Sequence, residues 1–341
     1  MQKIFMIGGT GLLGSKAAEQ FIAHGDTVKT LALPPLPEGA PLPEEMEIVF
    51  QDVNKCTDEE LEDLMKDCDT LVYAAGVDER AEFPPPVYDK YYKYNIAPLK
   101  RLVPMAKKLG YKGVVCCGSY FSWMAKNFPE MKIEARNPYM RSRIDQEKYL
   151  ESEATDDFYA AVLELPYIFG TQPGRRPVWT ILIEQLKPMD KMPCTFYPAG
   201  GTAMLTIRQV GEVIYGATQA TKGFRAYPIS CYNMSWKEFL KIVYDARGMG
   251  KNRKVISIAP WMMAMYMPKF VLDYKKRNIE SGMDPMQLPY LMDYNLYFDT
   301  ETSFHDLGAT PDDIRAAIFD SVKISSDVVD GKANLLGMKG E

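Results

Sequence analysis

Met1-Gln2-Lys3-Ile4-Phe5-Met6-Ile7-Gly8-Gly9-Thr10-Gly11-Leu12-Leu13-Gly14 opens the chain and decides its fold class. Residues 3–7 are a short apolar, β-branched and aromatic run, the pattern of a buried parallel strand. Gly8, Gly11 and Gly14 follow at once, spaced G-x-x-G-x-x-G. Leu12, Leu13, Ala17, Ala18, Phe21 and Ile22 then recur at helical spacing up to His24-Gly25. A strand, a glycine turn and a helix form the first unit of a dinucleotide-binding βαβ fold. Glycine lets the backbone turn sharply and approach a pyrophosphate without a Cβ in the way. The helix N-terminus adds free N–H groups and about half a positive charge. A glycine triplet by itself is equally an ordinary loop; its place between strand and helix selects the cofactor reading.

Outward from this unit the same rhythm repeats. Strands are expected at residues 27–33, 47–50, 69–74, 113–117 and 159–165, alternating with helices. Prolines 34, 35, 37, 41 and 43 mark an exposed loop. Thr57 caps a helix with Glu60 at the capping-box position. One aromatic-rich helix is expected over 87–109, and Asn137-Pro138 opens another through about 150. The alternation predicts an α/β fold, a doubly wound parallel sheet of Rossmann type with right-handed crossovers. Beyond Gly170 the rhythm changes. Helices near 177–187, 208–220, 236–247 and 311–323 alternate with short strands near 203–207, 225–230 and 254–258. Residues 1–170 are therefore read as the dinucleotide-binding domain. Residues 171–341 form a smaller α+β module that is mainly substrate-binding, with some elements free to return to the first sheet.

Bulk properties narrow the partners. The 341 residues carry a net charge of −5, which excludes the basic footprint of a nucleic-acid binder. The longest apolar stretch, 259–272, holds two prolines and Lys269 and is too short for a transmembrane segment. No charged region followed by an apolar one opens the chain, so no signal peptide is expected. The six cysteines lack C-x-x-C spacing, and Cys116-Cys117 sits inside a strand as small apolar residues. Both points place the chain in a reducing cytoplasm. With only His24 and His305 present, neither a metal site nor a histidine-based triad is expected.

Ligands of such sheets bind beyond the carboxyl ends of the strands. Those ends carry Gly8, Thr10, Gly11, Leu12, Leu13 and Gly14; Ala32-Leu33; Asp52 and Val53; Ala74, Ala75 and Gly76; Ser119; and Pro166 with Ile168. Asp52 is placed to accept a hydrogen bond from an adenine amino group. Tyr139 and Arg143 are four apart and share a helix face. A phenol works as acid or base once its pKa falls from about 10 toward neutrality, a shift worth about 4 kcal/mol. A fixed cation one turn away supplies such a pull. Ser119, at the end of a neighbouring strand, can bond the same substrate oxygen. Ser119, Tyr139 and Arg143 are thus the catalytic candidates, and Tyr120, Phe121 and Tyr167 the substrate-side ones. The stretches 120–123 and 261–267 are rich in Met, Tyr and Trp. They suit a bulky apolar ligand, and equally a packed core, a dimer face or a membrane-facing patch.

Taken together these motifs resemble an extended short-chain dehydrogenase/reductase of the NAD-dependent epimerase/dehydratase group. The resemblance rests on Gly8 through Gly14, Asp52-Val53, Ala74-Ala75-Gly76, Tyr94-Asn95-Ile96 and Asn137-Pro138-Tyr139. Phe298-Asp299-Thr300 through Asp306-Leu307-Gly308 resembles the family's closing helix. It implies a nicotinamide cofactor, with Asn95, Tyr139 and Arg143 among its contacts, and a Ser–Tyr–Lys acid–base set. Ser119 and Tyr139 match; the family's lysine falls on Arg143. Arginine keeps the charge and can donate to a ribose, but it never deprotonates and cannot link a proton relay. The acid that NAD-preferring members carry at the end of the second strand is replaced by Ala32-Leu33, so between NAD and NADP the reading leans to NADP. Glu164 and Tyr167 stand where nucleotide-sugar members usually carry Arg and Asn, and Arg208-Gln209 replaces a late acidic pair. The expected activity is an NAD(P)-dependent oxidoreductase interconverting a secondary alcohol and a ketone on a small apolar substrate. The alternatives are a nucleotide-sugar epimerase/dehydratase and a catalytically weak NAD(P)-binding sensor. The resemblance also implies a homodimer through the helices at 87–109 and 138–150.

Overall fold

β1 (Lys3–Ile7) is flanked on both sides by parallel partners, β2 (Thr27–Ala32) and β4 (Thr70–Tyr73). β3 (Glu47–Phe50) extends one side; β5 (Gly113–Cys117) and β6 (Tyr159–Glu164) extend the other. The strand Phe224–Pro228 pairs parallel with β6 and completes a seven-stranded sheet. In this computed structural model residues 1–250 and 252–337 are described.

Alternate side chains of each strand point to opposite faces, so each face has its own core. Ile4, Met6, Val72 and Val115 pack with Ala17, Phe21, Val210 and Ile214 on one face. Phe5, Ile7, Leu71 and Val114 pack with Leu61, Leu99, Leu102 and Val103 on the other. Helix α1 (Leu12–Ala23) crosses the helix Ile207–Ala220 closely at Gly211, where a Cβ would lie 2.4 Å from the Lys16 carbonyl. The chain therefore returns to the first sheet after residue 171, through this helix and the edge strand. Strand order reverses between β1 and β4, and the crevice above that point is where an open parallel sheet takes its ligand.

The remaining strands form a second layer: Tyr167–Phe169, Gly201–Thr206, Tyr232–Ser235 and Asn295–Leu296. Cys194–Tyr197 pairs separately with Lys254–Ser257. The helix expected over 87–109 is three pieces: Tyr88–Tyr91, a π turn Tyr92–Ile96, and Ala97–Lys108. Such wide turns frequently occur at functional sites; this one directs Asn95 inward. Short helices Phe121–Asn127, Pro260–Ala264 and Pro268–Lys276 occupy stretches with no expected element. Among the described residues, no helix is long and apolar enough to cross a membrane.

Candidate functional site

Gly8 leaves β1 with φ +91°, a conformation that suits glycine, and its carbonyl accepts from the Gly11 amide at 3.0 Å. A Cβ on Gly14 would stand 2.3 Å from that same carbonyl. The turn is thus as tight as backbone allows, and it leads directly into α1. Thr30 of β2 pins it: its hydroxyl accepts from the Gly9 amide at 2.9 Å and donates to the Met6 carbonyl at 2.9 Å. Thr10 and Gly14 are buried, with Leu12 and Leu13 half-buried beside them. These residues fit a dinucleotide, because a turn this tight, free of Cβ atoms at Gly8, Gly11 and Gly14, brings backbone N–H groups and the α1 N-terminus to where a phosphate can approach. Val53 is buried and Asp52 half-buried, its carboxylate accepting from the Asn54 amide at 3.0 Å.

Across the switch point, Ala74, Ala75 and Gly76 leave β4. Gly76 has φ +135°, and a Cβ there would meet Asn95 Oδ1 at 2.6 Å. The Asn95 amide brackets Val77, accepting from its N–H at 2.8 Å and donating to its carbonyl at 3.0 Å. Asn95 thereby fixes the loop that carries the cleft's far wall.

Tyr139 and Arg143 lie on the helix Pro138–Glu153, both buried. Arg143 Nε donates to Tyr139 Oη at 3.3 Å and Nη1 donates to Gln146 Oε1 at 3.1 Å. Gln146 in turn donates to the Asn95 carbonyl at 2.6 Å. Ser119, also buried, follows β5. Phe121 packs edge-on to Tyr139 at 6.2 Å, and Tyr120 edge-on to Tyr167 at 6.4 Å. Pro166 is buried and Ile168 half-buried on the way from β6 into the second layer. Tyr120, Phe121 and Tyr139 belong to one buried aromatic cluster, with Tyr167 packed against it.

One electrostatic expectation is reversed. Burial is the largest influence on the Tyr139 phenol and raises its pKa above 10, with Glu79 and Asp78 adding to the rise. Arg143 pulls in the expected direction without overcoming burial. Spacing along a helix reveals the cation, but not how much water the phenol loses.

Three features escaped sequence reasoning. The first is Glu79, whose charge raises the pKa values of Tyr91, Tyr120, Tyr139 and Tyr167. Glu79 is exposed, yet crowding by protein lifts its own pKa, with Asp78's charge second. Gln172, from the connection after Tyr167–Phe169, donates to the Thr10 carbonyl at 3.2 Å and accepts from Arg175 Nε at 2.8 Å. Arg175 has no ion-pair partner among the described residues, and desolvation lowers its pKa. The third is Gly282, whose carbonyl accepts from the Tyr139 amide at 3.0 Å, roofing the start of that helix. Only Arg175 carried a usable signal, a cation close after a glycine that packs against residues 37–38.

Other singled-out residues have structural work. Glu164 is fully buried and shares Lys126 with Glu147, each ion pair at 2.8 Å. Arg208 pairs with Glu212 and Asp312, while Gln209 completes a capping box with Thr206. In the stretch 261–267, Trp261, Met262, Met265 and Tyr266 are exposed. Among the described residues, no group of three His, Cys, Asp or Glu is placed to hold a metal.

This sheet order, with a glycine cradle at its switch point, defines a Rossmann-type nucleotide-binding fold. The sequence model of the NAD dependent epimerase/dehydratase family matches residues 4–204, and the chain belongs to that family of enzymes. No curated protein matches it. Among solved structures it is similar to gox2253, at 17% identity and TM-score 0.71, over 98% of this chain and 100% of that one. It is also similar to the Bordetella bronchiseptica enzyme WbmH in complex with NAD+, at 15% identity and TM-score 0.65, over 96% and 99% of the two chains. UDP-glucose 4-epimerase from Bifidobacterium longum, in complex with NAD+ and UDP, gives 14% and 0.62 over 97% and 100%.

Proposed function

We propose that the protein catalyses NAD-linked hydride exchange at a secondary-alcohol carbon held between Ser119 and Tyr139. The observation that carries this is the 3.3 Å bond from Arg143 to the Tyr139 phenol, in the cleft beside a glycine cradle. Gly8 through Gly14, Asp52-Val53, Ala74–Gly76 and Asn95 would hold the dinucleotide, and the bound nicotinamide supplies the hydride acceptor. Ser119 orients the substrate hydroxyl. Tyr139, as the phenolate that Arg143 stabilises, takes its proton and becomes the neutral phenol. Arg143 cannot pass the proton on; Glu79, whose charge acts on Tyr139, is our candidate to receive it.

The overall reaction we infer is an epimerase- or dehydratase-type cycle, in which this step is later reversed. It is favoured by family membership and by nucleotide-linked ligands in similar structures, such as UDP in the Bifidobacterium longum enzyme. A simple dehydrogenase of an apolar alcohol is the second reading, favoured by the apolar and aromatic residues Tyr91, Tyr120, Phe121 and Phe298 that cluster with Tyr139. Incubation with NAD or NADP and a panel of UDP-sugars and hydrophobic alcohols separates them. Product without net change in nicotinamide absorbance supports the cycle; stoichiometric reduced cofactor supports the dehydrogenase. Tight cofactor binding with no turnover would leave the sensor reading. A cytoplasmic location accords with six unpaired cysteines. A homodimer through the helices Ala97–Lys108 and Pro138–Glu153 is our expectation, to be checked by light scattering.

A further inference from the structure

Seventeen large apolar side chains are exposed among the described residues, and six of them fall between residues 261 and 272. They are Trp261, Met262, Met265, Tyr266, Phe270 and Leu272, on the helices Pro260–Ala264 and Pro268–Lys276 and the turn between them. Trp261 is 56% exposed, Met265 66% and Tyr266 72%. The second helix buries none of its nine residues, and the first buries only Ala264. Single exposed apolar residues need no explanation; a contiguous cluster at a turn marks an interaction surface.

Its charge says what it meets. Residues 259–277 carry Lys269, Lys275, Lys276 and Arg277 against a single acid, Asp273, in a chain whose net charge is −5. Arg277 is engaged by Asp273 and Glu82. Lys269, Lys275 and Lys276 are exposed and have no ion pair among the described residues. A second copy seated on this face by two-fold symmetry would oppose these lysines to themselves. Trp, Tyr, Met and Leu beside flexible lysines are instead the composition of helices that lie in a lipid headgroup layer.

We propose that residues 259–277 dock the protein peripherally on an anionic lipid bilayer, with Trp261, Met265 and Tyr266 entering the headgroup region. Lys269, Lys275 and Lys276 contact the lipid phosphates and carboxylates. The chain leaves this patch for Glu280, which bridges to Phe83, and for Gly282, which caps Tyr139. The docked segment thus continues into the backbone that meets the start of the Tyr139 helix. Docking is independent of which reaction the cleft performs, and its test needs no turnover.

The full chain would be mixed with vesicles of phosphatidylcholine alone and of phosphatidylcholine with about 30% phosphatidylserine, followed by flotation. Trp179 and Trp236 are buried and Trp123 half-buried, so lipid-induced fluorescence changes report chiefly on Trp261. The expected result is co-flotation with the anionic vesicles, a blue shift, and quenching by brominated lipid. Lys269→Glu/Lys275→Glu/Lys276→Glu should weaken partitioning on the order of 10²-fold or more. Trp261→Ser/Met265→Ser/Tyr266→Ser should abolish it. All six positions are exposed, and unchanged thermal melting of both variants would show that folding is intact. Absence of quenching, or equal flotation of wild type and variants, overturns the proposal. So does self-association or soluble-protein capture that depends on these residues while vesicles are ignored.

Discussion

Arg143→Gln removes a buried cation while leaving a side chain that can still hydrogen-bond. The guanidinium Nε is 3.3 Å from the Tyr139 oxygen. With the charge centred at about 4 Å and an effective dielectric of about 20, its attraction for a phenolate is about 4 kcal/mol. Burial already holds the phenol above its ordinary pKa, so removing Arg143 drives it further up. The phenolate is the form that accepts a proton from the alcohol, and a higher pKa means less of it at any given pH. Alcohol oxidation near neutrality should fall by about 10²–10³-fold, and the alkaline rise in kcat should move to higher pH. The assay is kcat against pH with the best substrate of the panel. Cofactor is held at saturation, because Arg143 also lies where ribose is expected. Arg143→Lys restores the charge and should bring the pH profile back. A Gln variant that loses rate without moving its alkaline limb would refute the electrostatic role.

Gly14→Ala puts a methyl 2.3 Å from the Gly8 carbonyl; overpacking of about 1–3 kcal/mol should lower the melting temperature and weaken NAD binding in a fluorescence titration. Arg175→Gln should raise the cofactor Kd by about tenfold or more, the worth of a charge-assisted bond to phosphate, and unequal losses for NADH and NADPH would tell which phosphate it meets. Glu79→Gln should cut turnover by on the order of 10²-fold and flatten the acid limb of the pH profile if Glu79 carries the proton away from Tyr139. Burial and then Glu147 raise the pKa of Glu164 from 4.5 toward neutrality. Its contribution to stability is therefore fully present at pH 4.5 and below, and is lost as pH rises through its folded value. Melting curves of Glu164→Gln should show the variant gaining on wild type between pH 5 and about 8; a constant difference would contradict this.

Much of the fold was legible because its signals are local. β1 to β6 announce themselves as apolar runs, α1 by its apolar spacing, and the capping box by Thr57 and Glu60, three residues apart. Tyr139 and Arg143 were legible for the same reason, since residues four apart share a helix face whatever surrounds the helix. Glu79 was not, because it lies on a loop with no period, and only packing turns that loop toward Tyr139. The stretch 261–267 was ambiguous in principle. Apolar residues in a helix say that a face wants covering, but not whether the rest of the chain covers it.

By itself, then, the sequence determined the strand–turn–helix order, the glycine cradle and the cation one turn from the phenol. Each depends on backbone geometry and spacing within a few residues. Tertiary structure decided the rest: the switch between β1 and β4, the return of Phe224–Pro228 to the sheet, and Arg175 held beside the cradle through Gln172. It also decided that Tyr139 sits above, not below, its ordinary pKa. Desolvation and long-range charge depend on every group that folding brings near, and no spacing along the chain encodes that sum.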